Sequence, residues 1–213
     1  MKSMIRALVL TLVAGAVCLS AKANTVPYVV SVDTSSLSGS NGYIDFQLNQ
    51  GTSTSLPVTA IISGFTGATL NPSDPLNDAI GATGALPGPL TIQAAPSTDY
   101  FEALTFGGSV NFNIQLQGSG VDPAGLAGGT SGTIFALSFF DASGSNPLLT
   151  TDPNGTVGVI NVDADGTVSA AATPGGDGSH GVATFIKTPE PGTFALVGGS
   201  LAFLLLLRKR ASV

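Results

Sequence analysis

The six residues Asn161-Val162-Asp163-Ala164-Asp165-Gly166 place side-chain oxygens at alternate positions and end on glycine, the spacing by which a short loop wraps a calcium ion. A loop of that kind closes with a bidentate glutamate at its twelfth position, where this chain has Ala172. Between two Val-rich segments the same residues also suit a β-hairpin turn. The hairpin is the expected reading, with no metal or cofactor bound; Asn161, Asp163 and Asp165 are the candidate ligands, and calcium the candidate ion, of the alternative. Asp141, Asp152 and Asn154 join such a site only if the fold gathers their loops. The single histidine, His180, stands in a Gly-rich stretch without evident partners. No Gly-x-Ser-x-Gly elbow, phosphate-binding glycine loop or His-Glu-x-x-His helix is present. Paired carboxyls alone can hydrolyse glycosides, but Asp99 and Glu102 read as solvated loop charge. The expectation is a body that is not an enzyme.

Charge sharpens this reading. Lys2, Arg6 and Lys22 lie at the start and Arg208, Lys209 and Arg210 at the end, so residues 24–188 hold Lys187 alone against twelve acids, a formal net charge of −11. Phosphate backbones are bound by clustered Lys and Arg, so a nucleic-acid partner is excluded. The one cysteine, Cys18, precedes the body, which leaves no thiol for disulfides or catalysis. There is no Trp, and Tyr28, Tyr43 and Tyr100 are the flat polar rings a sugar could stack on; each reads more simply as a core or rim residue.

The elements that must position these residues are strands. In 110–117 every second residue is apolar and each intervening one is Asn or Gln, and 44–49 repeats the pattern. Further strands are expected over 26–33, 56–63, 101–106, 133–141, 156–162, 167–171 and 182–187. Turn-forming clusters at 38–42, 143–147 and 152–155 separate them, and 71–89 reads as a long Pro/Gly-rich loop. With 28 Gly, 13 Pro and 9% charged residues, the expected fold is all-β, an antiparallel β-sandwich of jelly-roll-like or immunoglobulin-like type. A signal helix is expected before it and a transmembrane helix after it.

Both ends read as targeting segments. Lys2 and Arg6 precede an apolar run over 7–19, and Ala21-Lys22-Ala23 has the small-x-small form of a cleavage site, so 1–23 reads as a secretory signal peptide cut after Ala23. The expected domain limits are therefore a signal peptide over 1–23, an extracellular body over 24–187 and a tail over 188–213. In the tail, Pro189-Glu190-Pro191 forms an extended connector. The uncharged run 193–207 spans about 22 Å as a helix, and Arg208-Lys209-Arg210 stands where a cytoplasmic stop belongs.

A Pro-Glu-Pro triplet, a short apolar span and a terminal basic cluster, in that order, resemble the PEP-CTERM sorting signal. The resemblance covers 189–210. It implies export by the secretion machinery, temporary membrane retention through the C-terminal helix, cleavage near the triplet by an exosortase, and release or surface attachment, often with exopolysaccharide or biofilm material. Many unrelated bodies carry such a tail, some of them named ice-binding, so it is an address rather than an activity. The body, through Val32-Asp33-Thr34-Ser35-Ser36-Leu37, 42–49, 135–143 and Thr150-Thr151-Asp152-Pro153, is similar to a group of uncharacterised PEP-CTERM proteins. The resulting expectation is a non-enzymatic surface or matrix protein, with a carbohydrate- or calcium-binding module as the alternative.

Overall fold

Residues that alternate apolar and polar must pair edge to edge to satisfy their backbone groups, and the computed structural model, which describes residues 25–174 and 182–189, shows that they do. Eleven strands follow one another: β1 (Thr25–Asp33), β2 (Asn41–Gln50), β3 (Thr59–Leu70), β4 (Asp78–Ile80), β5 (Ala82–Gly84), β6 (Leu90–Gln93), β7 (Asp99–Gln117), β8 (Thr133–Asp141), β9 (Thr156–Val162), β10 (Val168–Ala172) and β11 (Ala183–Lys187). A single 3₁₀ turn, Ser35–Leu37, is the only helical element among the described residues. The expected signal and transmembrane helices lie outside the described residues. Among the described residues no helix is long and apolar enough to cross a membrane.

All named strand pairs are antiparallel, and β7 organises them. Its first half pairs with β2, Thr105 opposite Asn41 and Tyr100 opposite Phe46, and so belongs to a layer ordered β10-β9-β8-β2-β7. Its second half pairs with β1 on one edge and β3 on the other, within a second layer ordered β11-β1-β7-β3-β6-β5. Even-numbered residues of both halves, Leu104 and Phe106 in one and Val110, Phe112, Ile114 and Leu116 in the other, face a single core. The rings of Phe46 and Phe112 meet edge to face across it at 5.1 Å. Each fully buried Phe or Leu there contributes about 1.5–3 kcal/mol. The chain is thus an antiparallel β-sandwich.

Three differences from the sequence reading have physical causes. The strands expected over 101–106 and 110–117 are one strand, because Gly107 and Gly108 bend β7 without ending its ladder. The stretch expected as a loop over 71–89 contains β4 and β5, whose three residues are too short for any periodicity to register. β6 is missed for the same reason, although Leu90 and Ile92 are both fully buried.

The bend of β7 is tightly packed. A β-carbon on Gly107 would stand 2.2 Å from the carbonyl oxygen of Gly67. Gly67 itself has φ +91° and lies in the part of β3 where the register against β7 shifts between Thr66 and Ala68. A β-carbon on the next residue, Gly108, meets nothing within 4 Å. The substitution Gly107→Ala is therefore expected to destabilise the full chain by more than about 2 kcal/mol, and Gly108→Ala to stay within about 0.5 kcal/mol, as read by denaturant unfolding. Equal effects at the two positions would refute the backbone contact.

Candidate functional site

The outward face of the β8-β2-β7-β4 region is where this sandwich departs from a solvent-washed sheet. On β2 the odd positions Tyr43 and Asp45 point away from the core, yet both are only 4% exposed. Aromatic rings and a loop residue cover Tyr43. Tyr43 stacks on Phe101 with ring centres 4.6 Å apart, Phe101 meets Phe140 at 5.8 Å, and the Tyr43 hydroxyl donates to Asp74 Oδ1 at 2.9 Å. The loop after β8 follows Asp141, whose Oδ1 accepts from the Ser143 amide and hydroxyl and whose Oδ2 accepts from Asn146 Nδ2.

Asp45 stands opposite Ser138 on β8 and opposite Phe101 on β7. Asp99, two residues before Phe101, shares that face and lies diagonal to Asp45. Asp45 Oδ2 accepts from Gln47 Nε2 at 2.8 Å, Gln47 Oε1 from Asn49 Nδ2 at 3.0 Å, and Asn49 Oδ1 from the Thr98 amide at 2.9 Å. Thr98 Oγ1 in turn accepts from the Leu48 amide at 2.6 Å. Asp45 Oδ1 and Asp99 Oδ1 are buried with no donor from any third group, and the two carboxyls lie within hydrogen-bonding reach of each other. With both groups ionised neither can supply a donor; a shared proton would. Burial, then the neighbouring Asp99 carboxylate, pushes Asp45 up to about 8, and burial raises Asp99 as well, with Asp78 adding to the rise.

The opposite side of β7 holds a second polar group. The Tyr100 hydroxyl donates to Glu102 Oε2 at 3.2 Å and accepts from the Leu86 amide at 3.0 Å, and burial raises the pKa of both, Tyr100 to about 12. Asp99 and Glu102, expected as solvated loop charge, are strand residues on opposite faces, and Glu102 is 8% exposed. Tyr28, Tyr43 and Tyr100 are all buried.

Most other acids serve turns. The Oδ1 atoms of Asp33, Asp74, Asp122, Asp141, Asp152 and Asp165 each accept from the amide two residues on, at 2.8–3.1 Å. Within the candidate calcium loop, Asn161 lies in β9 opposite Ser169, and Asp163 to Gly166 turn the chain into β10, the Gly166 amide bonding Asp163 O at 2.8 Å. Asp165 Oδ1 takes the Thr167 amide and hydroxyl at 2.9 and 2.7 Å, and Asp163 Oδ2 the same hydroxyl at 3.4 Å. Asp141 and Asp152 are engaged in their own loops. Among the described residues no three of His, Cys, Asp and Glu converge to hold a metal ion. A cleft of about 410 Å³ lies beside Asn41, Tyr43, Thr69, Asn71, Asp74 and Thr105.

Ala21, Ala23, His180, Glu190, Pro191, Arg208, Lys209 and Arg210 lie outside the described residues. Pro189 is exposed directly after Thr188, whose amide bonds Pro27 O at 3.0 Å.

Because the fold keeps Asp45 protonated where the unfolded chain would ionise, its contribution is complete below the ordinary carboxylate range and is lost as pH rises through about 8. In chelator-treated buffer the melting temperature of the full chain is expected to fall between about pH 5 and about pH 8.5, and Asp45→Asn to flatten that slope. A slope unchanged by the substitution would assign it elsewhere.

No curated protein and no solved structure matches the chain. Residues 187–210, however, match the family model of the PEP-CTERM protein-sorting motif. The chain therefore carries a PEP-CTERM sorting motif next to its β-sandwich, which makes it an exported protein sorted to the cell surface with an exosortase as its processing partner.

Proposed function

We propose that the sandwich is a non-enzymatic component of the cell envelope or extracellular matrix, delivered by its tail and placed among exported polysaccharide. The observation that carries this reading is the sorting motif at 187–210 adjoining the last strand of the body. The chemistry of the body supports it. Lys187 is the one basic residue among the described positions, and six aspartates are committed to turns. The carboxyls that share a face, Asp45 and Asp99, perturb one another directly, whereas glycoside hydrolysis needs a gap of about 5–9.5 Å to seat the scissile bond. On this reading the secretion machinery removes 1–23 after Ala23, the run 193–207 holds the chain in the inner membrane against Arg208, Lys209 and Arg210, and the exosortase cuts near Pro189, Glu190 and Pro191.

A second reading, a carbohydrate-binding module, is favoured by the cleft beside β2, whose size suits a small ligand and whose walls include Asn41, Thr69, Asn71 and Thr105. Its weakness as a sugar site is that the three tyrosine rings are buried. Retention of the full chain on the host's own polysaccharide, lost on Asn71→Ala, would move the assignment to binding.

An epitope placed after Asn24, followed in a host that contains an exosortase, tests the route. Expected is an intact mass ending near 189–191, recovered at the surface or in the medium, and accumulation of the longer form when the exosortase is deleted. A tail kept intact in the inner membrane in both strains would refute the processing step. Release of reducing ends from host polysaccharide, abolished by Asp45→Asn, would refute the non-enzymatic reading.

A further inference from the structure

We propose that a trough on the outward face of β2, β7 and β3 is the binding site for a neutral, hydroxyl-rich polysaccharide segment; this deepens the carbohydrate-binding reading and rests on it. The shape comes from side-chain size. After Phe101, the outward positions of β7 are Ala103, Thr105 and Gly107, all small. The strands on either side carry longer or polar groups at the same level. Tyr43 and Asn41 of β2 stand opposite Ala103 and Thr105 on one edge. On the other edge Thr69 of β3 stands opposite Thr105, and the Asn71 amide bonds Ala103 O at 2.8 Å. A strand of small outward residues between two strands of larger ones leaves a channel along its own axis.

Two hollows lie along this line. The cleft of about 410 Å³ has Asn41, Asn71 and Asp74 in its walls, and a second hollow of about 340 Å³ reaches Gly67 and Gly107. Thr69 and Thr105 line both, so the two are parts of one trough. From Ala103 to Gly107 it runs about 13 Å at the rise of a strand, which suits a short oligosaccharide rather than a single ring. Ala103, Ala68 and the Gly107 backbone give it a carbon-lined surface on which the apolar face of a sugar can lie. Tyr43 is stacked on Phe101 and its hydroxyl is held by Asp74, so it shapes a wall and offers no stacking platform. Recognition here is by hydrogen bonds and fit.

The polar groups of the walls select the ligand. The Thr105 hydroxyl donates to Asn41 Oδ1 at 2.8 Å, which leaves the Asn41 Nδ2 hydrogens unused, and among the described residues the Thr69 hydroxyl has no partner. Amide donors beside hydroxyls that both give and accept are the complement of a polyol. Charge excludes the acidic polymers. Asp74 is the one charged residue lining the trough, and the one base among the described residues, Lys187, lies in β11 of the other layer. A uronate, sulfate or phosphate group there would find no cation and would meet the Asp74 carboxyl. Because the wall groups are also open to water, each contact adds little, and affinity accumulates along the length of the bound chain.

Native-gel electrophoresis of the full chain in non-ionic detergent tests the site, with a soluble neutral glucan, mannan or galactan cast into the gels and polygalacturonate in a parallel one. Expected is retardation by at least one neutral polymer and none by polygalacturonate. Thr105→Phe fills the trough from a half-buried outward position and is expected to abolish the retardation. Asn41→Ala, at an exposed position, is expected to weaken it about three- to tenfold, the worth of one hydrogen bond. Gln115→Phe, on the outward face of the other layer, leaves it unchanged, and melting temperatures show which variants keep the fold. Retardation that persists undiminished in folded Thr105→Phe and Asn41→Ala would overturn the trough and leave the binding reading to another surface. Stronger retardation by polygalacturonate, or retention on the host's own polysaccharide with none by any neutral polymer, would overturn the ligand class alone. Unchanged mobility in every gel, with no retention on host polysaccharide, would overturn the proposal and the carbohydrate-binding reading together.

Discussion

The close passage of β7 over β3 at Gly107 and Gly67 is the constraint on which the rest of the architecture depends. A 19-residue strand would be about 60 Å long if straight, far more than a sandwich of this size can use. Bending at a point where two backbones come too close for any side chain lets one strand serve both layers. Because even-numbered residues face inward on both sides of Gly107 and Gly108, the hydrophobic alternation survives there and a single strand contributes to the core from both layers. Strands β1, β2, β3 and β4 all take their register from β7.

From this follows the unusual treatment of charge. A chain with so few bases cannot neutralise its acids by ion pairs, and it disposes of them in two other ways. Most cap turns, where an amide two residues ahead stabilises the ionised carboxylate; this holds Asp33, Asp141 and Asp165 below the usual range through hydrogen bonds to Ser35, to Ser143 and Asn146, and to Thr167. Asp45, Asp99 and Glu102 instead sit on β2 and β7, where burial drives them the other way. The two groups have opposite consequences for stability against pH. Asp33, Asp141 and Asp165 favour the fold above the ordinary carboxylate range, and the strand acids favour it below.

The ends of the body also meet. β11 pairs with β1, Lys187 opposite Tyr28, and Thr188 is tied to Pro27. The first strand of the body is thus completed by the last, and the sorting motif begins within β11 at residue 187. The stretch that matches the sorting-motif model therefore overlaps the strand that closes the sandwich by its first residue.

Much was legible from local pattern alone. The bounds of β8 and β9, the alternation of β2 and the second half of β7, and the sorting motif are carried by neighbouring residues, because strand periodicity and a linear address are both properties of contiguous chain. Asp45 was not legible as a site. In Ile44-Asp45-Phe46 it occupies the position that alternation assigns to solvent, yet it is buried, opposite Phe101, more than fifty residues away, and Ser138, more than ninety residues away. Its partner Asp99 is set by the β2–β7 register, and β4 to β6 exist only because longer strands lend them an edge. The sequence by itself determined the class of fold, the acidity and the destination of this protein. Which carboxyls meet, and which face is covered, only the tertiary structure decided, since register and loop packing are fixed by contacts between segments that no local pattern records.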